Sequence, residues 1–267
     1  MITPWLRLFR VVNLPTVPGD VLVGAALAMW CGGCTSASAQ DFARVALAAA
    51  ASCCLYMFGL VDNDIVGAAT DKGRPIPDGK VSMRAARIAR TLCLVLGVAT
   101  SASAALCAMD VASCGIEYGV IFAACQVVVV FALVVAIVAY NRTKRPILMG
   151  LCRGINVVLG AAAIFPPLMW PSLFVCAPLR ASFVVAVVAV WTLYIWAVTK
   201  YSEGEEVDSE RRRNVGLLVG GIVYLQLVVL IVLAIVNPYV NPLLLAGAVL
   251  LVVLRVAKRT FPEVSAS

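Results

Sequence analysis

The amino-acid sequence predicts an all-α fold, a polytopic bundle of helices that cross a membrane. Three observations predict it. Apolar residues make up 63% of the 267 residues, while only 13% are charged, compared with about a quarter in a soluble domain. Apolar runs of about 20 residues, the length that spans a bilayer core, recur along the chain. Lysine and arginine cluster between these runs.

Eight apolar runs are long enough to be membrane spans. Because lipid offers no hydrogen-bonding partner to a polypeptide backbone, each run is predicted to be a helix. The runs are evenly distributed, so residues 1–267 are predicted to form a single integral membrane domain. The predicted spans are 17–37, 42–62, 87–108, 118–140, 147–166, 181–200, 215–237 and 240–257.

The basic residues alternate between the two sides of the predicted bundle. All but three of the 21 lysine and arginine residues fall at the termini or after the second, fourth and sixth spans. The positive-inside rule assigns this side, with both termini, to the cytoplasm. The net charge of +7 therefore indicates membrane topology, and we expect no nucleic-acid partner. The exceptions are Arg44, Arg153 and Arg180.

The connection after the second span carries a group of oxygen ligands, Asn63, Asp64 and Asp71. If the helix continues to Asp71, the two carboxylates share one face, two turns apart. Carboxylate and amide oxygens at a membrane boundary suit Mg²⁺, which usually also binds substrate phosphate. The alternative interpretation is a solvated helix end followed by a Pro-Gly turn.

The fifth span contains a buried charge, Arg153, with Asn156 three residues further on the same face. A charge inside a span normally faces a polar cavity or a partner. Diphosphate is a suitable partner because guanidinium binds phosphate in a bidentate manner. The alternative is a structural ion pair with a buried acid such as Asp20. Arg142 and Arg145, which flank this span, are also typical topology signals.

The connection after the sixth span is a second candidate metal site. Glu203, Glu206 and Glu210 are spaced so that they share one face of a helix, and Asp208 lies among them. The alternative is a solvated charged loop. The chain has no histidine, so any metal is expected to bind carboxylates or cysteines. The single Cys31-Gly-Gly-Cys34 motif favours a structural or disulfide role over a metal site.

These segments, in this order, resemble the UbiA-type family of intramembrane prenyltransferases. The family motif Asn-Asp-x-x-Asp-x-x-x-Asp, followed by Arg-Pro-x-Pro-x-Gly, aligns with Asn63–Asp71 and Arg74–Gly79, with Gly67 in place of the middle aspartate. The segment around Asn13 resembles the family's first helix. The Tyr140…Lys144-Arg145 stretch with Gly-Leu-Cys-Arg153-Gly resembles its third conserved region.

The resemblance implies eight to nine helices around a central cavity that opens to membrane lipid and binds Mg²⁺ and a polyprenyl diphosphate. It also implies a role for each matching residue. The implied catalytic residues are Asp64, Asp71, Lys144 and Arg153; the substrate-binding residues are Asn13, Asn63, Arg74, Tyr140, Arg142 and Asn156; the metal ligands are Asp64, Asp71, Glu203, Glu206, Asp208 and Glu210.

The predicted function is Mg²⁺-dependent transfer of a prenyl group to an aromatic or lipid-soluble acceptor. The alternative is a non-catalytic member of the family that binds or transports an isoprenoid or another anionic lipid. Gly67 and the altered second acidic motif favour this alternative. A secondary transporter would need an inverted repeat, which the sequence does not show convincingly. The oligomeric state is left open.

Overall fold

In the computed structural model, residues 2–32, 37–71, 73–109, 116–165, 178–203 and 209–260 are described. These residues form nine α-helices, and the described ranges contain no β-strand. A short 3₁₀ turn, Pro238–Val240, precedes the last helix. The helices are α1 Ile2–Leu8, α2 Thr16–Cys31, α3 Ala39–Val66, α4 Met83–Met109, α5 Ile116–Thr143, α6 Pro146–Ala162, α7 Pro178–Ser202, α8 Ser209–Val236 and α9 Asn241–Thr260.

Helices α2 to α9 follow the eight predicted spans in order, which confirms the all-α polytopic membrane fold. Six of them are long and apolar enough to cross a bilayer, namely α3, α4, α5, α7, α8 and α9. The other two, α2 and α6, have 16 and 17 residues. At 1.5 Å per residue they are roughly 25 Å long, shorter than a bilayer core of about 30 Å.

Helix α2 lies at the centre of the bundle. Nearly all of its residues are buried, and it contacts α3, α6, α7, α8 and α9. A helix that is apolar on every side is expected to be surrounded by others. The outer helices instead expose large apolar side chains, including Leu96, Phe131, Val190 and Val228. These side chains form the surface that would face lipid.

Small residues bring α2 and α6 into close contact. A Cβ atom on Gly24 would lie 2.8 Å from the carbonyl carbon of Val157. A Cβ atom on Gly160 would lie 2.7 Å from the Cα atom of Val21. Glycine therefore lets the two backbones touch, as small residues commonly do between membrane helices. This contact fixes the position of α6, which carries Arg153 and Asn156.

Two helix ends differ from the prediction. Helix α3 ends at Val66 with Gly67 as its C-cap, so Asp71 does not share a helical face with Asp64. Helix α7 ends at Ser202 and α8 begins at Ser209, so Glu203 and Glu210 do not lie on one helix. Beyond Val66, Thr70 donates to Gly67 O through both its N and its Oγ1 atoms, and such local side-chain bonds compete with continuation of a helix.

The cysteines of the described spans are small packing residues. The free cysteines are buried or half-buried; they are Cys31, Cys53, Cys54, Cys93, Cys107, Cys125 and Cys152. Cys34 lies outside the described residues, so the Cys31-Gly-Gly-Cys34 prediction stays open.

Candidate functional site

A cavity of about 320 Å³ lies where α3, α5 and α6 meet. Three connections contribute to it, those before α2, after α3 and after α5, together with Ser202, the last residue of α7. These connections therefore meet at one end of the bundle. The lining residues are Arg10, Val17, Ser52, Tyr56, Gly59, Leu60, Asn63, Asp71, Arg74, Leu133, Ile137, Tyr140, Asn141, Lys144, Met149, Cys152, Arg153, Asn156 and Ser202.

The cavity gathers many of the predicted site residues. Of these, Asn63, Asp71, Arg74, Tyr140, Lys144, Arg153 and Asn156 line its wall. Helix α3 supplies one continuous strip, Ser52, Tyr56, Gly59 and Asn63, at spacings of three and four residues that place them on one helical face. The strip leads from the membrane interior to the charged end of the cavity.

Arg74 bridges the two aspartates of the first motif. Its Nη1 atom donates to Asp64 Oδ1 at 2.8 Å and lies 3.1 Å from Asp71 Oδ2. The Asp64 side chain is 8% exposed and the Asp71 side chain 28%. Thr70 Oγ1 donates to Asp71 Oδ1 at 3.1 Å. One cationic nitrogen therefore marks a point that both carboxylates face.

The Asp64 and Asp71 carboxylates could supply two ligands to a divalent cation. The Arg74 nitrogen is a stand-in for the positive charge that the carboxylate pair would bind. Mg²⁺ commonly takes one or two carboxylates from the protein and completes its shell with water and phosphate oxygens. Within the described ranges no three acidic, cysteine or histidine side chains come together as a metal cluster. Phosphate would have to supply the further ligands.

Lys144 lies just after α5, at the mouth of the cavity, with a left-handed backbone (φ 55°). Its N–H donates to Tyr140 O at 2.7 Å, and its Nζ atom donates to Asn63 Oδ1. Partial desolvation, with the positive charges of Arg74 and Arg10, lowers the pKa of Lys144, although Asp71 and Asp64 oppose this effect. An arriving anion would stabilise the charged form.

Arg10 is a cavity residue that sequence reasoning missed. It lies in the turn between α1 and α2 with φ 42°, and no carboxylate in the described part of the chain forms an ion pair with it. The sequence suggested only a topology role for Arg10. Its place three residues before Asn13, in the segment that resembles the family's first helix, was the available signal.

Arg10 and Lys144 share an unusual feature. Of the non-glycine residues in the described ranges, these two have a positive φ. Such a conformation costs about 1–3 kcal/mol and is often found at functional sites. Here both residues with this strained backbone are cations that line the same cavity.

Arg153 forms the structural ion pair that the sequence left as an alternative. Its Nε atom lies 2.8 Å from Asp20 Oδ2, and Nη2 donates to Thr16 O at 2.7 Å. Asp20 Oδ1 also accepts from Trp191 Nε1 at 3.0 Å and from Gln226 Nε2 at 2.8 Å. The buried carboxylate thus joins α2, α6, α7 and α8. Arg153 lines the cavity, but Asp20 neutralises its charge.

Asn156 also has structural partners. Its Nδ2 atom donates to Val17 O at 3.2 Å, and its Oδ1 atom accepts from Ser52 Oγ at 2.7 Å. The amide therefore links α6 to α2 and α3. It forms part of the inner wall of the cavity, away from the cations at the mouth.

Several predicted residues lie away from the cavity lining. The Asn13 carbonyl accepts from Thr16 Oγ1 at 2.8 Å in the turn before α2. Arg142 is exposed at the end of α5. Glu203 pairs with Lys200 at 2.7 Å, beside the cavity residue Ser202, and Glu210 is exposed in the first turn of α8. Glu206 and Asp208 lie outside the described residues.

Comparison with known proteins gives one structural similarity. No protein-family model matches the sequence, and no curated protein matches it. Among solved structures, the chain is similar to a digeranylgeranylglyceryl phosphate synthase in membranes, with 14% identity and a TM-score of 0.48. The alignment covers 99% of this chain and 97% of that one.

Proposed function

We propose that this protein transfers a prenyl group from an isoprenoid diphosphate to a hydrophobic or aromatic acceptor within the membrane. The observation that carries the proposal is the cavity itself. Cations and a carboxylate from separate connections meet at its mouth, and apolar side chains line its inner part. An amphipathic substrate with a charged diphosphate head and an apolar hydrocarbon tail would match these two parts of the cavity.

The cations at the mouth are suited to the diphosphate head. Arg10 is without a carboxylate partner among the described residues, and Lys144 is bonded to an amide oxygen, Asn63 Oδ1. Both charges are therefore available to phosphate oxygens. Arg74 already pairs with two carboxylates, so it can bind the diphosphate fully only after it exchanges a carboxylate for a phosphate oxygen. Charge-assisted bonds of this kind are the strongest protein–phosphate contacts.

The inner part of the cavity is suited to the prenyl chain. Val17, Leu133, Ile137 and Met149 line it, on helices α2, α5 and α6. These apolar walls would exclude water from the reacting carbon. Exclusion of water matters because an allylic cation would otherwise be captured by water instead of the acceptor.

The chemical step is cleavage of the carbon–oxygen bond between the prenyl group and the diphosphate. The bonding electrons leave with the diphosphate, and the acceptor then forms a new bond to the allylic carbon and loses a proton. Arg10 and Lys144 would stabilise the negative charge that develops on the leaving group. Mg²⁺, held by Asp64 and Asp71, would supply further neutralisation of that charge when bound.

A non-catalytic, isoprenoid-binding protein is the second candidate. The observation that favours it is the Arg74 bridge, because Asp64 and Asp71 already pair with a cation of the protein itself. Such a protein would bind a diphosphate lipid without a divalent ion.

We place the diphosphate-binding end of the cavity at the cytoplasmic side, where the lysine and arginine residues concentrate.

The two candidates can be separated with purified protein in lipid nanodiscs. We would incubate it with labelled geranyl, farnesyl and geranylgeranyl diphosphates, Mg²⁺ and a set of aromatic and lipid acceptors. Release of diphosphate that requires Mg²⁺ supports the transferase. Binding that persists in chelator, without turnover of any substrate, supports the non-catalytic protein.

Variants of the carboxylates provide the matched control. Asp64→Ala and Asp71→Ala should abolish Mg²⁺-dependent turnover and leave the fold intact. Asp78→Ala removes a carboxylate from the same connection that pairs with Lys80 at 2.9 Å, outside the cavity lining. We expect this variant to keep its activity. Full turnover in both of the first two variants would contradict the assignment.

A further inference from the structure

We infer that Gly67 is a positioning residue, whose missing side chain lets the Asp71 carboxylate reach the point it shares with Asp64. The inference rests on the proposed function, because it concerns the carboxylate pair assigned to the divalent cation. It assigns a role to the position at which the first motif departs from the family pattern.

The end of α3 folds the chain back onto itself. Gly67 caps the helix, and its carbonyl accepts from Asp71 N at 2.8 Å and from Thr70 Oγ1 at 3.3 Å. This turn lays the Asp71 side chain against the Gly67 Cα atom. A Cβ atom on residue 67 would lie 2.7 Å from Asp71 Cγ, closer than two non-bonded carbon atoms can approach. Any side chain at position 67 must displace the carboxylate.

The requirement for glycine comes from this contact and not from the backbone. Gly67 has φ −81° and ψ 1°, a conformation that L-amino acids adopt without a Cβ clash. Alanine would therefore be accepted by the main chain. The substitution Gly67→Ala isolates the effect of space beside Asp71.

The displacement should affect the site and spare the fold. The displaced atoms belong to the tip of a side chain that is 28% exposed and can rotate into solvent. Rotation would break the 3.1 Å pairing between Asp71 Oδ2 and Arg74 Nη1. It would also remove one of the two carboxylates from the point that Asp64 faces. Two carboxylates separated in this way no longer form a common ligand pair.

The test uses the full-length protein in nanodiscs, titrated with Mn²⁺ and inorganic pyrophosphate, with bound Mn²⁺ measured by electron paramagnetic resonance. We expect Gly67→Ala to weaken Mn²⁺ binding by about 10–100-fold, the usual effect of disturbing a residue that orients a ligand. The melting temperature should stay at the wild-type value. Gly216→Ala is the matched control, because a Cβ atom there meets no other atom within 4 Å.

A double-mutant cycle shows whether the effect runs through Asp71. Asp71→Asn should weaken Mn²⁺ binding similarly, and Gly67→Ala should add little in the Asp71→Asn background, because coupled residues are not additive. Equal weakening by Gly67→Ala in both backgrounds would overturn the inference. A Gly67→Ala variant with wild-type affinity for Mn²⁺ would also overturn the inference, but it would leave the proposed function standing. Wild-type protein that binds neither Mn²⁺ nor pyrophosphate would overturn both.

Discussion

Arg153 and Asp20 form an ion pair that is buried in the apolar interior, with Arg153 Nε 2.8 Å from Asp20 Oδ2. The Asp20 side chain is fully buried and accepts hydrogen bonds from residues on three other helices. A single carboxylate therefore ties α2 to α6, α7 and α8, and of these helices α2 and α6, with the last residue of α7, contribute to the cavity wall.

Replacing Asp20 by asparagine should destabilise the protein strongly. The substitution keeps the shape of the side chain but leaves the Arg153 charge buried without a counter-charge, which typically costs about 3–5 kcal/mol. Thermal unfolding in detergent, followed by tryptophan fluorescence, measures the loss. The double variant Asp20→Asn with Arg153→Met should recover most of it. A double variant as unstable as the sum of the two single ones would contradict the ion-pair interpretation.

Arg74→Gln should have opposite effects on the two ligands of the site. Without pyrophosphate, the variant should bind Mn²⁺ more tightly than wild type, because Arg74 no longer competes for Asp64 and Asp71. Pyrophosphate binding should weaken at least tenfold, since a bond to a charged group contributes about 1.5–3 kcal/mol. Titration calorimetry measures both affinities.

Arg84→Gln is the control for this variant, because Arg84 is an exposed cation outside the cavity lining. It should change neither affinity. If Arg74→Gln lowered the affinities for Mn²⁺ and pyrophosphate together, Arg74 would be a structural support of the pair and not a competing cation.

Pyrophosphate affinity should fall at alkaline pH through Lys144. Its pKa is lowered mainly by desolvation and by Arg74, so the ammonium group is charged below that lowered value and loses its charge as the pH rises through it. The attraction to the anion is then lost at a lower pH than for an ordinary lysine. Binding measured from pH 7 to pH 11 should fall earlier in the wild type than in Lys144→Arg. Identical profiles would exclude Lys144 from the binding of the head group.

Lys144→Gly should increase stability while it weakens binding. Glycine adopts a positive φ without the steric cost that lysine bears at φ 55°. After the larger entropy that glycine loses on folding is subtracted, the net gain is about 1 kcal/mol. The same change removes a cation from the mouth of the cavity. Melting temperature and pyrophosphate affinity should therefore move in opposite directions. Lys144→Ala, which loses the charge and keeps the strained backbone, should weaken binding without raising the melting temperature.

The amino-acid sequence alone determined the membrane fold of this protein. Each span was predictable because a bilayer requires about 20 apolar residues with internally bonded backbone, and that requirement is local. Asn63 and Asp71 could be selected for the same reason, since polar residues at the ends of apolar runs are conspicuous. Arg74 and Lys144 were selected through the resemblance to the family motifs.

Only the tertiary structure decided how these residues are partnered. The pairing of Arg153 with Asp20, the capture of both carboxylates by Arg74 and the entry of Arg10 into the cavity depend on which helices meet. The return of Asp71 to Asp64 likewise depends on a turn at Gly67, where a continued helix was predicted. The hydropathy of a segment indicates whether that segment enters the membrane. It holds no information on contacts between distant segments, because those are set by the packing of side chains across helices.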